Sequence, residues 1–175
     1  PSNSVSASPA AARGVFAGGL NNSSNRVNTM DYIPIGTAST DAVDFGDLTR
    51  ASTEAGSCSN GTRGVFFGGL VSPPATNIID YITIGSTSGG TDFGDLAVAS
   101  YSFAVMSNGY RGLVTGGYNT TAGSVVPFEY INITTTGNSV EQGGLSPSGA
   151  QNQSPNSGVS NGSRGVYGSL YGSAQ

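Results

Sequence analysis

Pairs of carboxylates recur along this chain with the spacing Asp-Phe-Gly-Asp. Asp44 and Asp47 form one pair, Asp92 and Asp95 form another, and the third copy keeps only Glu141. Such pairs can serve as acid and base in glycoside hydrolysis or as calcium ligands. Calcium, however, takes about six to eight oxygens. We therefore expect these aspartates to accept hydrogen bonds from backbone amides in turns, with no metal ion and no cofactor bound.

Arginine supplies all six basic groups of the chain, and four of the six precede a glycine. Guanidinium groups of this kind could line a ligand surface. Their repetition favours a structural role instead, in which each pairs with an acidic group or a carbonyl of the neighbouring unit. We assign the repeated arginines and tyrosines as structural anchors: Arg13, Arg63, Arg111, Arg164, Tyr32, Tyr81 and Tyr130.

Residues that do not repeat are better candidates for specific recognition. Asn21, Asn22, Asn25 and Arg26 crowd one loop, and Tyr118 and Asn119 occupy the equivalent loop two units later. Loops carry much of the binding in repeat folds, and these side chains suit sugar hydroxyls and ring faces. The six residues are our candidate ligand-binding set, and a plain solvated loop is the alternative explanation.

Enzymatic chemistry is poorly supported, because the chain contains no histidine and only one cysteine, Cys58. The absence of histidine excludes a Ser-His triad and removes the usual general base. A single cysteine excludes an internal disulfide, and Met106 occupies the equivalent place one unit later, so we expect Cys58 to be buried and apolar in character. We predict that the chain is not an enzyme and keep a glycoside hydrolase as a distant alternative.

The elements that position these residues form a repeat. Its Arg-Gly anchor recurs at 13, 63, 111 and 164, with spacings of 50, 48 and 53 residues. Periods of about 49 residues are typical of stacked or radial repeat architectures. We predict a single repeat domain over residues 1–175, with units at approximately 4–50, 51–98 and 99–153 and a partial unit at 154–175.

The sequence of each unit predicts four short strands, and the chain as a whole is therefore predicted to have an all-β fold. The Asn-Gly pairs at 60, 108 and 161 favour a tight hairpin between the first two strands. In the third strand, Ile33 and Ile35 lie on one face while Met30 and Tyr32 lie on the other, so both faces of the sheet should be covered. Four antiparallel strands covered on both faces are typical of a β-propeller blade. Three full blades and a partial fourth require a larger ring, a partner chain that completes the ring, or a short open stack.

The order of these signals resembles the kelch repeat. A Gly-Gly doublet closes the second strand, a tyrosine follows 13 or 14 residues after the first of these glycines, and an aromatic residue lies in the fourth strand. Phe45 and Phe93 stand where kelch repeats usually carry tryptophan, and this chain has no tryptophan. The resemblance implies kelch-like propeller blades and says little about function.

The amino-acid sequence of the repeat, above all at residues 80–89 and 91–96, resembles the repeats of virion structural and tail-fibre-like proteins of marine tailed bacteriophages, cyanophages in particular. This resemblance implies a virion-borne, extracellular module in a tail fibre or capsid appendage. Its partners would be other virion proteins or copies of itself, and a host surface glycan or receptor. A secreted or cell-surface bacterial adhesin is the alternative.

Charge and hydropathy restrict the remaining classes of partner. The net charge is −4 and only 9% of residues are charged, so no basic patch favours nucleic-acid binding. No apolar run approaches the roughly 18 residues of a transmembrane helix, and we expect no membrane insertion. The sequence begins at Pro1 without a start methionine, which leads us to expect a processed chain or a fragment of a longer protein.

Overall fold

In a computed structural model, the described residues form β-strands joined by turns. The structure describes residues 3–6, 13–36, 41–72, 74–119, 128–143 and 155–169. These ranges contain no helix, and so none that is long and apolar enough to cross a membrane. Their strands form three four-stranded antiparallel sheets and one two-stranded sheet. The all-β class predicted from the sequence is therefore confirmed.

The strands follow the predicted units in chain order. The first sheet contains β1 (Asn3–Ser6), β2 (Arg13–Leu20), β3 (Arg26–Pro34) and β4 (Val43–Asp47). The second sheet contains β5 (Gly56–Ser59), β6 (Arg63–Phe67), β7 (Ile78–Thr83) and β8 (Thr91–Asp95). The third sheet contains β9 (Ala104–Ser107), β10 (Arg111–Thr115), β11 (Phe128–Asn132) and β12 (Val140–Gly143). The two-stranded sheet contains β13 (Pro155–Ser160) and β14 (Gly165–Ser169). Sequence neighbours are hydrogen-bonded neighbours throughout, so each sheet is a simple meander.

The Asn-Gly pairs form the predicted hairpin turns. In the second sheet, the Asn60 side chain accepts hydrogen bonds from the amides of Thr62 and Arg63, at 3.0 and 2.8 Å. Gly61 takes a positive φ of 86°, which glycine adopts without strain. The turns at residues 108–111 and 161–164 repeat this arrangement. The asparagine side chain thus fixes the start of each second strand.

The first strands of the second and third sheets begin several residues after the predicted start of their units. The second unit was predicted to begin near residue 51, but β5 begins only at Gly56. Glu54 breaks the extended backbone with a φ of 57°, and Thr53 instead forms an isolated bridge with Leu70. The third sheet shows the same break, with Ser102 at a φ of 54°.

Two apolar clusters lie between the sheets and hold them face to face. One joins the first and second sheets and includes Met30, Phe66 and Ile82. The other joins the second and third sheets and includes Ile79 and Ile131. Since Ile82 and Ile79 point to opposite faces of β7, the prediction that the second sheet is covered on both faces is confirmed.

Glycines in the fourth strands allow the next sheet to approach closely. Gly94 has a φ of 145°, and a Cβ atom added there would lie 2.5 Å from the carbonyl carbon of Gly137 in the third sheet. The Gly137 amide donates to the Phe93 carbonyl at 2.8 Å in the same place. At the opposite edge, the first strands β1, β5, β9 and β13 contact one another in that order. Successive four-stranded sheets thus contact each other along both edges.

Candidate functional site

The repeated arginines reach from one sheet to the next. Arg13 donates to the Ile84 carbonyl of the second sheet at 3.1 Å, and Arg63 donates to the Ile133 carbonyl of the third sheet at 2.9 Å. A carbonyl of the neighbouring unit was one of the two kinds of partner that we expected. These two guanidinium groups therefore link successive sheets.

Each of these arginines also stacks on the tyrosine of its own sheet. The Cζ atoms of Arg13, Arg63 and Arg111 lie 4.5, 4.3 and 4.5 Å from the ring centroids of the Tyr anchors at 32, 81 and 130. Tyr81 in turn meets Phe93 edge to face, with centroids 6.0 Å apart. A cation over an aromatic face is stabilised by about 0.5–2 kcal/mol, depending on its desolvation. The stack holds the arginine extended toward the next sheet.

Arg50 forms a buried ion pair with Asp80 at the junction between the first and second sheets. Its Nη1 atom lies 2.7 Å from the Asp80 carboxylate, and the two side chains are 8% and 0% exposed. Its Nη2 atom donates to the carbonyls of Gly68 and Ile78, both at 2.8 Å. Thr49 adds its amide and hydroxyl to the same carboxylate. Burial lowers the pKa of Arg50 from its ordinary value, while the Asp80, Asp92 and Asp95 carboxylates act in the opposite direction.

The third sheet has a buried carboxylate without such a cation. Glu129 occupies the place of Asp80 and is fully buried. Its Oε2 atom accepts from the Ala97 amide at 2.8 Å and from the Ser139 hydroxyl. Its Oε1 atom is buried without a hydrogen-bond partner. Val98 stands at the end of the second unit where Arg50 stands at the end of the first.

The Asp-Phe-Gly-Asp segments bond to the next sheet through their backbone. The Asp47 carbonyl accepts from the Gly90 amide at 2.7 Å, and the Asp95 carbonyl accepts from the Ser139 amide at 2.8 Å. The side chains of Asp44 and Asp92 are exposed. Within the part of the chain that the structure describes, no group of three or more acidic, cysteine or histidine residues could hold a metal ion.

Three of the six candidate ligand-binding residues, Asn21, Asn22 and Asn25, lie in the loop between β2 and β3, and Arg26 is the first residue of β3. The Asn21 side chain accepts from the amides of Ser23 and Asn25, at 3.0 and 2.9 Å, and so forms the turn itself. Asn22 and Asn25 are exposed. Arg26 is half-buried, and its Nε atom is buried without a hydrogen-bond partner. Exposed side chains available to a ligand are therefore concentrated at Asn22 and Asn25.

The other two candidates lie at the same end of the third sheet, with the second sheet between them and the first loop. Asn119 donates from Nδ2 to the Ala99 carbonyl at 2.7 Å, which ties the loop to the start of its own unit. Tyr118 is 37% exposed and packs edge to face on Tyr101, with centroids 5.4 Å apart. Desolvation, followed by Glu54 and Tyr118, raises the pKa of Tyr101. The two loops share an end of the molecule but do not form one site, and their role in binding stays a prediction.

A cleft of about 320 Å³ opens between the third sheet and the two-stranded sheet, at the opposite end from these loops. Its lining includes Asn108, Arg111, Tyr130, Gln142 and Arg164. No acidic residue is among the described lining residues, so the Arg111 guanidinium gives the cleft a positive charge. It can therefore hold an anionic or hydroxyl-rich ligand.

Sequence reasoning did not single out this cleft as a site. Arg111, Arg164 and Tyr130 were assigned as structural anchors because they repeat, and Asn108 was assigned to a turn. No local signal in the sequence separates Arg111 from the other repeated arginines. The difference appears only in the structure, where Arg111 is exposed while Arg13 and Arg63 are half-buried.

A scan against models of protein families found no match, and a search of curated protein sequences found no significant match.

Proposed function

We propose that this chain is a non-enzymatic structural and binding module of a phage particle, located in a tail fibre or capsid appendage, which contacts a saccharide on the host surface. Each four-stranded meander corresponds in this proposal to a kelch-like propeller blade. The order of contacts from β1 to β5, β9 and β13 supports that assignment, because the first strands of successive blades adjoin around a propeller axis. The resemblance of residues 80–96 to virion repeats supports the location.

The observation that carries the proposal is that repeated charged side chains lie at the contacts between sheets. Arg13 and Arg63 bond to carbonyls of the next sheet, and Asp80 is buried against Arg50 of the sheet before. Two of the repeated arginines and one of the repeated acidic side chains are therefore engaged in holding sheets together. This is the arrangement expected of a scaffold whose recognition is carried by non-repeated surfaces.

The cleft beside Arg111 suggests the class of saccharide. A guanidinium group can bind a carboxylate through two parallel hydrogen bonds, which an ammonium group cannot do. Such a group at Arg111, in a cleft without described acidic residues, favours a saccharide that carries carboxylates, such as a polymer of uronic acids. Asn108 and Gln142 supply amides for neighbouring hydroxyl groups.

The location is tested by detecting peptides of this chain in purified marine phage particles, with labelled antibodies to place them on the tail or capsid. Peptides that co-purify with particles and an antibody signal at an appendage are the expected results. Recovery of the chain only from bacterial envelopes would overturn the virion assignment and favour the adhesin.

The ligand is tested with immobilised uronic-acid oligosaccharides and neutral oligosaccharides of equal length. We expect the 175-residue chain to bind the acidic series and the Arg111→Gln variant to lose about tenfold in affinity, which corresponds to about 1.4 kcal/mol. Arg111→Lys keeps the positive charge but lacks the planar guanidinium group. This variant should recover only part of the affinity that Arg111→Gln loses. If Asn22→Ala abolishes binding while Arg111→Gln does not, the loops carry the site and the cleft does not.

A further inference from the structure

The first sheet exposes an apolar face whose equivalents are buried in the next two sheets. This leading face, which points away from the second sheet, carries Phe16, Ile33 and Ile35. A Cβ atom added at Gly14 would lie 3.6 Å from Ile33 and 3.9 Å from Ile35, so the two isoleucines share one side. Ile35 is 55% exposed, whereas its equivalents Ile84 and Ile133 are 1% and 0% exposed. The leading face of the second and third sheets is covered by the sheet before.

The two-stranded sheet exposes the opposite half of the same junction. This trailing face carries Val159 and Val166, which are 66% and 65% exposed. Val159 occupies the place of Cys58 and Met106, which are 8% and 5% exposed, and Val166 occupies the place of the fully buried Val65. The trailing face of the second sheet is covered by the sheet that follows. One chain therefore exposes both faces of a sheet-to-sheet contact that forms twice within it, between the first and second sheets and between the second and third sheets.

We propose that the leading face of one molecule binds the trailing face of a second copy, so that chains associate head to tail. The junctions within the chain indicate what the contact contains. Val159 and Val166 would pack on Ile33 and Ile35, as the valine at 65 and the cysteine at 58 pack on the third sheet. Arg164 would donate to the Ile35 carbonyl, as Arg13 donates to Ile84 and Arg63 to Ile133.

The charge and exposure of the two faces favour a second copy of this chain over an unrelated protein as the binding partner. Asp31 is exposed on the first sheet, while Arg164 is exposed on the two-stranded sheet, so the two faces differ in sign. The contact is heterologous because its two faces differ, and it yields a ring if the rotation closes and a filament if it does not. The proposal depends on the repeated sheet contacts and is independent of the saccharide and of the phage particle.

The test is the assembly state of the 175-residue chain, measured by analytical ultracentrifugation across a range of concentrations. We expect the wild type to form complexes of two or more copies. Ile35→Asp places a charge on the leading face and Val166→Asp places one on the trailing face, and each variant alone should remain monomeric. Leu20→Asp is the matched control, since Leu20 is 59% exposed at the other end of the first sheet, and it should assemble like the wild type.

Mixing the two monomeric variants separates head-to-tail association from any other mode. The Ile35→Asp chain keeps an intact trailing face and the Val166→Asp chain keeps an intact leading face. Their mixture should therefore form a one-to-one dimer that grows no further. A wild type that stays monomeric, single variants that assemble like the wild type, or a mixture that stays monomeric would each overturn the proposal. Circular dichroism of each variant shows that it is folded.

Discussion

Arg50 and Asp80 form a buried ion pair across the junction between the first and second sheets, with 2.7 Å between Nη1 and the carboxylate oxygen. Arg50 lies in the connection that leaves β4, and Asp80 lies in β7. The guanidinium also holds the carbonyls of Gly68 and Ile78. One side chain thereby joins the connection to β7 and to Gly68, the residue that follows β6.

Replacing Asp80 with asparagine should destabilise the fold strongly. The variant leaves the Arg50 charge buried without its counter-ion, and breaking a buried pair in this way typically costs about 3–5 kcal/mol. We expect the free energy of unfolding, measured by urea denaturation, to fall by about 3 kcal/mol. Asp31→Asn is the matched control, because Asp31 holds the equivalent position but is exposed, and its effect should stay within about 0.5 kcal/mol. Equal effects of the two substitutions would show that the pair does not stabilise the junction.

Placing an arginine at position 98 should stabilise the junction between the second and third sheets. Val98 stands where Arg50 stands one unit earlier, and the Glu129 carboxylate beside it has a buried oxygen without a partner. A new hydrogen bond to a charged group contributes about 1.5–3 kcal/mol, and ordering the arginine side chain offsets part of this. We expect Val98→Arg to raise the free energy of unfolding by about 1 kcal/mol.

Two further variants isolate the contribution of the charge at position 98. Val98→Met supplies a long apolar stem without a guanidinium group and should give none of the gain. Val98→Arg combined with Glu129→Gln removes the carboxylate and should also lose it. A Val98→Arg chain no more stable than Val98→Met would contradict the assignment of Glu129 as an uncompensated carboxylate.

The sequence predicted the local elements well because their signals are local. Three of these elements form as expected: the Asn-Gly turns, the Arg-Gly strands and the third strand with apolar residues on both faces. Each depends on neighbours within a few residues. The ion pair of Arg50 with Asp80 was not predicted, because Arg50 has no counterpart in the other units and its partner lies 30 residues away. The cleft at Arg111 was missed for a related reason. It depends on how the two-stranded sheet packs on the third sheet, which no motif encodes.

Gly68 should tolerate no side chain, in contrast to another glycine of the same sheet. Gly68 has a φ of 49°, and a Cβ atom there would lie 2.5 Å from the Ser100 carbonyl oxygen in the connection to the third sheet. Gly85 has nothing within 4 Å of an added Cβ atom. We expect Gly68→Ala to lower the free energy of unfolding by about 2–3 kcal/mol, since unfavourable φ costs about 1–3 kcal/mol before any clash. Gly85→Ala should change it by less than about 1 kcal/mol. Equal thermal melts for the two variants would show that the close approach at Ser100 is not needed.

Cys58 should be unreactive in the folded chain. Its side chain is buried in the cluster between the second and third sheets, and burial raises the pKa of the thiol to about 12 from its ordinary value of 9.0. Because the thiolate is the reactive form, a disulfide reagent at about pH 8, where an unfolded cysteine is partly ionised, should label the native chain only as fast as the sheets separate. Adding urea should raise the labelling rate steeply. Rapid labelling without urea would contradict the packing of the second sheet against the third.

The same thiol should make stability fall in alkaline solution. Below the unfolded pKa of 9.0, Cys58 is protonated in both states, and its contribution does not depend on pH. Above that value, the unfolded chain loses the proton while the folded chain keeps it, so the free energy of unfolding declines as pH rises toward about 12. Cys58→Val removes this component, and the stability difference between the wild type and the variant should shift in favour of the variant as pH rises. Urea denaturation of both chains at several alkaline pH values measures that shift, and parallel pH profiles would show that the thiol ionises equally in the folded and unfolded chains.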